Sequence, residues 1–450
     1  MAIGFDYGTA NCSVAQVVNQ EVKQIPLVGN DYYIPSTLSA PTAETVSEYL
    51  FRCLDIKPIG EIGESVLSRA MKMNRNEGID VQADDVRFGQ PALDLYLEDP
   101  KEIYYVKSPK SFLGTMGLRD LQLSFFEDLV CAMMANVKRQ AEASIQQDIT
   151  QAVIGRPVNF QGRGGDASNL QAQGILERAA TRAGFKQVEF QFEPVAAGLE
   201  YESTLAEEQN VLVVDIGGGT TDCSMIRMGP KWVGKVERSE SLLGHTGQLI
   251  GGNDLDIFVA FKNFMSEFGI HSLRKSGLAI PITQFWNPIA INDVQAQRRF
   301  YGSDNLIELK SLMGESLVPE KLARLIKVQQ NSLGYGLIKE AENAKIALGE
   351  QAHYEASIDL KNELLTIPML SEHMKDAIAD PTRKIQALVK EALAQSQTKP
   401  DVIYMTGGSV RSPILRDAIQ SVLPSTPIVA GNYFGSVTAG LARWAELRFK

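Results

Sequence analysis

Two short stretches decide the fold: Ile3-Gly4-Phe5-Asp6-Tyr7-Gly8-Thr9 near the start of the chain and Val213-Val214-Asp215-Ile216-Gly217-Gly218-Gly219-Thr220 near its middle. Each combines an apolar strand, an aspartate, a glycine turn and a threonine. Each then leads into a second apolar strand, at Ser13–Val18 and Cys223–Ile226. Because one pattern occurs twice in one chain, we expect two lobes built from the same unit and facing each other.

Strands and helices alternate through the rest of the sequence, which predicts a layered α/β protein. Apolar runs that end in small or glycine-rich turns predict strands at Ile3–Phe5, Cys12–Val18, Ala152–Ile154, Val211–Val214 and Val402–Tyr404. Apolar residues at helical spacing predict helices at Leu121–Ser144, Leu170–Ala183, Lys339–Leu348, His373–Ala394 and Arg411–Val422. The less patterned stretches at 41–87, about 230–335 and 350–370 are interpreted as subdomains or insertions on the lobes.

Composition excludes several classes of partner. The 450 residues carry a formal net charge of -10, so nucleic acid and anionic membrane surfaces are not expected partners. The four cysteines and four histidines are too dispersed for a disulfide framework or a zinc site. The start of the chain does not resemble a signal peptide, and we find no apolar stretch long enough to cross a bilayer. The expected location is the cytoplasm.

The two glycine turns are suited to binding a phosphate chain. Glycine allows close backbone approach and positive φ, so the N–H groups of Asp6–Asn11 and Asp215–Thr221 can surround phosphate oxygens from two sides. Three hydroxyls add neutral donors: Thr9, Thr220 and Thr221. An aspartate facing a phosphate requires a cation between them, and Mg²⁺ keeps most of its waters. We therefore expect Asp6 and Asp215 to hold Mg²⁺ through water.

A third glycine-rich turn follows another apolar strand. Tyr404-Met405-Thr406-Gly407-Gly408-Ser409 leads into the predicted helix at Arg411–Val422, which opens with Ser412-Pro413. This arrangement suits a backbone that approaches a ribose, a phosphate or a flat base. The residues alone leave these three alternatives open.

In their order and content, these motifs resemble the ATPase domain of DnaK-type heat-shock chaperones, within the actin and sugar-kinase superfamily. The stretches that carry the resemblance are Asp6-Tyr7-Gly8-Thr9-Ala10-Asn11, Glu193-Pro194-Val195-Ala196-Ala197-Gly198, Asp215-Ile216-Gly217-Gly218-Gly219-Thr220-Thr221-Asp222, Gly251-Gly252-Asn253-Asp254-Leu255-Asp256 and Gly407-Gly408-Ser409-Val410-Arg411. The resemblance covers essentially the whole chain, with divergent stretches at 41–87 and about 258–335. Because the sequence stops at Lys450, without the family's interdomain linker or peptide-binding β-sandwich, it is most similar to the short YegD-like branch.

The resemblance implies a two-lobed actin-like ATPase fold made of duplicated ribonuclease-H-like domains, each with an inserted subdomain. Lobe I is expected at 1–205, with an insertion at about 41–120 and a completing segment at 427–450. Lobe II is expected at 206–426, with an insertion at about 230–370.

The resemblance also implies roles for individual residues. Lys110 would orient the attacking water, with Lys107 as a rival, while Glu193 and Asp222 would position water or the metal. Thr220 would contact the γ-phosphoryl group, and Glu342 and Lys345 would hold the ribose. Together with the turns, this gives the expected nucleotide-contacting set: Gly8, Thr9, Ala10, Asn11, Gly217, Gly218, Gly219, Thr220, Thr221, Glu342, Lys345, Ile346, Gly349, Gly407, Gly408, Ser409 and Arg411.

The sequence also departs from the family at several positions. Ile346 replaces an arginine that stacks on adenine, and Gly349 replaces a serine at the edge of the base; weaker or less adenine-selective binding is therefore expected. Ala10 replaces a threonine of the first motif. Gln173 replaces the arginine partner of Pro157, the proline that matches the family's interdomain relay, and the loop between them is lengthened around Gln161–Asp166, so the family's peptide-coupled allostery is not expected here. Phe434 replaces an acidic residue, which is expected to alter contacts between the lobes.

The implied function is that of a slow, chaperone-like ATPase that uses ATP or ADP with Mg²⁺ and acts with a protein client or co-chaperone. Two alternatives remain, since a fold does not fix a chemistry. One is a small-molecule kinase or phosphatase of the same superfamily. The other is a nucleotide-dependent scaffold or filament former that does not hydrolyse its nucleotide.

Overall fold

The structure is a computed structural model that describes residues 1–160, 165–431 and 435–449. The strands are β1 (Ala2–Tyr7), β2 (Asn11–Val18), β3 (Glu21–Gln24), β4 (Tyr33–Pro35), β5 (Thr37–Ala40), β6 (Arg87–Phe88), β7 (Tyr104–Lys107), β8 (Gln151–Arg156), β9 (Gln187–Phe192), β10 (Gln209–Ile216), β11 (Thr221–Met228), β12 (Leu242–Gln248), β13 (His353–Asp359), β14 (Leu364–Leu370), β15 (Val402–Thr406) and β16 (Ile428–Ala430).

The α-helices are α1 (Ala43–Leu54), α2 (Gly60–Asn76), α3 (Gln90–Glu98), α4 (Asp120–Ile145), α5 (Gly165–Arg182), α6 (Glu193–Glu202), α7 (Gly252–Val259), α8 (Thr283–Trp286), α9 (Val294–Tyr301), α10 (Ser303–Glu315), α11 (Pro319–Gln330), α12 (Gly334–Ala347), α13 (Ser371–Ala377), α14 (Ala379–Ser396), α15 (Pro413–Val422) and α16 (Ser436–Arg448). Short 3₁₀ turns precede α4 and α15, at Pro109–Phe112 and Gly408–Arg411.

Two mixed sheets share one strand order. The first runs β3-β2-β1-β8-β9, with β4 also paired to β2, and the second runs β12-β11-β10-β15-β16. In both sheets the hairpin strands are antiparallel and the two strands beyond the central one are parallel to it. The mixed α/β class expected from the sequence is therefore confirmed.

Strand register places the two motif aspartates at equivalent points. Asp6 pairs with Ser13 beside the first hairpin turn, and Asp215 pairs with Asp222 beside the second. Because β15 runs parallel to β10, with Thr406 opposite Asp215, the turn after β15 begins next to the second hairpin. The glycine-rich turns thus gather at the same ends of their sheets.

Helices α6 and α16 pack against each other between the two sheets, α16 on β1, β2 and β8 and α6 on β10 and β11. Small residues allow this close packing. A Cβ on Gly440 would lie 1.7 Å from the carbonyl oxygen of Ala196, and one on Gly4 would lie 2.1 Å from the backbone nitrogen of Ala442. The last described helix therefore fixes both sheets around one shared core.

Some elements differ from the sequence predictions. The helix predicted at His373–Ala394 is two helices, α13 and α14, with Ile378 between them. The helices predicted to begin at Leu170 and Lys339 begin at Gly165 and Gly334. The stretches interpreted as unpatterned contain helices α1, α2 and α8–α11 and the β13–β14 hairpin. Within the described residues, no helix combines the length and the apolar character needed to span a membrane.

Candidate functional site

A cavity of about 290 Å³ lies between the two glycine hairpins. Its walls come from both sheets, from the first turns of α6 and α7, from the end of α12 and from the turn after β15. The predicted site residues that line it are Asp6, Gly8, Thr9, Ala10, Asn11, Glu193, Asp215, Gly217, Gly218, Thr220, Glu342, Lys345, Ile346, Gly349, Gly407, Gly408, Ser409 and Arg411. Residues from distant parts of the sequence thus meet at one cavity.

The two hairpin turns touch each other, which explains two of the glycines. A Cβ on Gly218 would lie 2.7 Å from the Cβ of Ala10, and one on Gly219 would lie 2.7 Å from Cγ2 of Thr9. A Cβ does not fit at either distance, so glycine is needed here for close approach. Positive φ does not explain these two glycines, because none of the described hairpin glycines has a positive φ. In the third turn, by contrast, Gly407 has a φ of 89°.

Gly407 brings the third turn against the second hairpin. A Cβ there would lie 2.3 Å from the carbonyl oxygen of Ile216 and 2.7 Å from Oδ1 of Asp215. Its left-handed backbone conformation also favours glycine. The third turn is therefore fixed directly beside the carboxylate of Asp215.

Carboxylates concentrate on this part of the cavity. Burial, and next the charge of Glu193, raise the pKa of Asp6 to about 7. The same two causes, in the same order, raise the pKa of Asp222 to about 8 and that of Asp215 well above its usual range. A positive charge placed between desolvated carboxylates that repel one another stabilises their ionised forms.

Lys110 lies at the centre of this cluster, although it does not line the cavity itself. Its Nζ donates to Oε1 of Glu193 at 2.6 Å and to the carbonyl oxygen of Gly155 at 3.2 Å, and the residue is 5% exposed. Lys107 lies elsewhere: its Nζ is 3.8 Å from Oε2 of Glu342. Of the two lysines considered from the sequence, Lys110 is the one that contacts the carboxylate cluster.

Three other predicted residues lie outside the lining of the cavity. The hydroxyl of Thr221 donates to the carbonyl oxygen of Ile250 at 2.7 Å. This buried hydroxyl therefore binds the backbone and is not directed at a ligand. Oδ1 of Asp222 accepts a 2.8 Å hydrogen bond from the backbone N–H of Val158. Gly219 faces Thr9, as described above. For Thr221, the placement corrects the expectation of a hydroxyl directed at phosphate.

An ion-pair network forms the side of the cavity near α7 and α12. Nζ of Lys345 lies 2.6 Å from Oδ1 of Asp256 and donates to the carbonyl oxygen of Gly252 at 3.2 Å. Burial alone would raise the pKa of Glu342, but Lys107 and other nearby lysines outweigh it and hold that pKa below its usual value. Glu342 is therefore a fixed negative charge at this wall.

A second set of contacts joins α3 and β7 to helices α7 and α12. Tyr96 of α3 and Tyr105 of β7 stack at 4.7 Å, and Tyr335 of α12 meets their edges at 5.6 and 5.0 Å. Nδ2 of Asn253 also donates to Oγ of Ser108 at 3.2 Å. These contacts hold α3, β7 and the turn that follows β7 against α7 and α12 beside the cavity.

Sequence reasoning missed several residues that line the cavity. They are Ser13, Tyr33, Gly252, Asn253, Leu255, Asp256, Glu350, Ser412 and Val437. The motif at Gly251–Asp256 was the available signal for four of them, and Glu350 and Ser412 adjoin predicted site residues. Tyr33 and Val437 reach the cavity through tertiary packing, which sequence spacing does not reveal.

Gln173 and Phe434 are two positions where the sequence departs from the resembled family, and of the two only Gln173 is among the described residues. Gln173 accepts a hydrogen bond from the guanidinium of Arg156, whose side chain also lies over the rings of Phe160 and Phe192. Phe434 lies outside the described residues, as does 161–164 of the loop at Gln161–Asp166.

The donor set fits a divalent cation that is held through water. Asp6, Asp215 and Glu193 line one cavity, and their mutual repulsion is offset in part by Lys110. Among the described residues, no group of three or more acidic, histidine or cysteine side chains is arranged to hold a metal directly. Water-mediated binding by these aspartates agrees with the preference of Mg²⁺ for its own hydration shell.

This mixed α/β architecture is consistent with an Hsp70-type, actin-like ATPase. Residues 121–275 match the family model of the Hsp70 protein. The chain is similar to the chaperone protein HscA homolog of Pseudoalteromonas atlantica, with 23% identity over 96% of this chain and 56% of that protein. It is also similar to the HscA homolog of Rickettsia prowazekii, with 23% identity over 81% of this chain and 54% of that protein. Together these matches show that the chain is similar to proteins of the Hsp70 family.

The chain spans about half the length of the curated relatives it matches, 56% of one and 54% of the other. The similarity to the Pseudoalteromonas protein extends over nearly all of this chain.

Proposed function

We propose that this chain binds ATP or ADP with Mg²⁺ in the cavity between the hairpins and hydrolyses ATP slowly, as a chaperone-like nucleotide-binding module. The observation that supports this proposal best is the meeting of the hairpins. Gly218 of one turn approaches Ala10 of the other to a distance that excludes any larger residue, with Asp6 and Asp215 on the wall of the same cavity. Backbone N–H groups from both turns can then bind one phosphate chain.

The proposed fold is two-lobed and actin-like, with duplicated ribonuclease-H-like domains. The shared strand order of the two large sheets supports the duplication. The packing of α16 on β1, β2 and β8 supports a lobe I that comprises 1–205 and is completed by 427–450. Lobe II is then 206–426. The cavity lies where the two lobes meet.

Each part of the cavity has a role in this proposal. Asp6 and Asp215 hold Mg²⁺ through water, and the ion neutralises phosphate charge. Thr220 donates to the terminal phosphate, while Glu342 and Lys345 hold the ribose. Catalysis of phosphoryl transfer depends mainly on positioning and on charge neutralisation, which such a set of residues provides.

Lys110 is the proposed residue that orients the attacking water. It is buried, its ammonium group is fixed by Glu193 and Gly155, and Glu193 itself lines the cavity. A water that contacts Glu193 therefore lies close to a positive charge.

Substitution of Lys110 tests this assignment. We expect Lys110→Ala to lower the rate of ATP hydrolysis by about 10²- to 10³-fold, the usual loss when one positioned donor is removed. ATP affinity should change much less, because Lys110 does not line the cavity. The measurements are steady-state ATP turnover and calorimetric titration of the same preparations.

The matched control is Lys101→Ala, which removes an exposed lysine from the same insertion. Because Lys110→Ala leaves the buried carboxylate of Glu193 without this partner, thermal unfolding must show that the variant is folded at the assay temperature. A folded Lys110→Ala protein with the turnover of the Lys101→Ala control would refute the role of Lys110.

A further inference from the structure

Two opposite charges lie on the part of the cavity wall formed by the end of α12 and the turn after β15. Nη2 of Arg411 is 3.8 Å from Oε1 of Glu350, and both residues line the cavity. Their side chains are 58% and 73% exposed, so neither is committed to a buried structural pair. Both groups are therefore available to a ligand.

The surrounding residues suit a flat ring. Ile346 lines the same part of the cavity with a side chain that is 57% exposed, and a guanidinium such as that of Arg411 stacks well on aromatic planes. Gly349, which has no side chain, lines the same cavity. A base that packs on these groups would have its edge within reach of the carboxylate of Glu350.

A carboxylate selects among bases because it only accepts hydrogen bonds. Guanine offers two adjacent donors, N1–H and the exocyclic N2–H₂, which match the two oxygens of a carboxylate. Adenine offers the N6 amino group next to N1, and N1 is an acceptor that a carboxylate repels. Charge and donor pattern therefore favour guanine at this edge.

Ser412 adds a complementary group. It lines the same cavity, and its buried hydroxyl oxygen has no hydrogen-bond partner among the described residues. Buried polar groups normally have a partner, and rotation of this side chain into the cavity would let its hydroxyl find one in a ligand atom. The hydroxyl can then donate to the O6 acceptor of guanine.

We infer that Glu350 recognises the base of the bound nucleotide and that the site binds guanine nucleotides at least as well as adenine nucleotides. This inference rests on the proposed function, since it assigns the base end of the same cavity. Glu350 and Ser412 are then the residues that determine base preference, and Arg411 stacks on the ring without discriminating between purines.

The test is calorimetric titration of ADP and of GDP, each with Mg²⁺, into the wild-type chain and into Glu350→Gln. Glutamine keeps the shape of the side chain but removes its charge. We expect the substitution to weaken GDP binding by about tenfold or more, which is the discrimination typical of a bidentate contact, and to change ADP binding by less than about twofold. Glu355→Gln, at an exposed position of β13, is the matched control.

The outcomes separate the inference from the proposed function. Loss of the pair between Glu350 and Arg411 alone would affect both nucleotides equally, so an unchanged ratio of GDP to ADP affinity in Glu350→Gln would overturn the inference. So would a clear preference of the wild-type chain for ADP, although the proposed function would then stand. If neither nucleotide binds, both proposals fail together.

Discussion

Asp222 is a fully buried carboxylate behind the second hairpin, and it links the site to the stability of the fold. Burial, and next the charge of Glu193, raise its pKa from 3.8 to about 8, against the opposing effect of the N–H group of Val158. The folded state therefore holds this proton more tightly than the unfolded state does. The stability that protonated Asp222 contributes is present in full below about pH 4 and is lost as the pH rises to about 8.

We therefore predict that Asp222→Asn raises the unfolding temperature of the nucleotide-free chain at pH 8 by a few degrees and changes it little at pH 5. Asparagine keeps an oxygen that can accept from Val158 but carries no charge to desolvate. The measurement is thermal unfolding at both pH values. Asp417→Asn, an exposed position on α15, serves as the control. An equal shift at pH 5 and pH 8 would show that the effect is not due to this titration.

At the scale of elements, the direct contact between the two hairpin turns is the feature that builds the cavity. Adjacent glycines allow a matched comparison. A Cβ on Gly218 would lie 2.7 Å from the Cβ of Ala10, whereas one on Gly217 would meet its nearest neighbour, the carbonyl oxygen of Thr220, at 3.5 Å. The second distance is an ordinary van der Waals contact.

Gly218→Ala should therefore destabilise the nucleotide-free chain by about 1–3 kcal/mol, the usual cost of overpacking, and Gly217→Ala should cost clearly less. Denaturant unfolding of both variants measures the difference. If the two substitutions cost the same, the hairpins do not meet in solution as they do in this structure.

The sequence was most informative about elements with strong local signals. The five strands that end in small or glycine-rich turns, among them β1 and β10, were found because each is a compact apolar run. The hairpin of β13 and β14 was missed although its buried residues alternate, because Pro368 lies within β14 and weakens a strand prediction. The boundary between α13 and α14 at Ile378 was missed because the apolar spacing continues across it.

At the scale of the whole molecule, the site is assembled by chain segments that lie far apart in the sequence. The repeated hairpin motif predicted that Asp6 and Asp215 face one phosphate chain, and the resemblance to the chaperone family added Gly407 to the same site. The sequence did not predict the pairing of Lys107 with Glu342, or the stacking of Tyr96, Tyr105 and Tyr335, because such contacts depend on how the insertions pack. The strand order shared by the two sheets explains why equivalent turns face one cavity.

The central claim is that both hairpins hold one phosphate chain through a shared hydrated cation. The most direct test is calorimetric titration of ATP into the chain, once with Mg²⁺ and once with the metal removed by a chelator. We predict one site per chain, with affinity at least about tenfold weaker without Mg²⁺, because the buried carboxylates then repel the phosphates. Absence of heat at millimolar ATP, or equal affinity with and without the metal, would contradict the account.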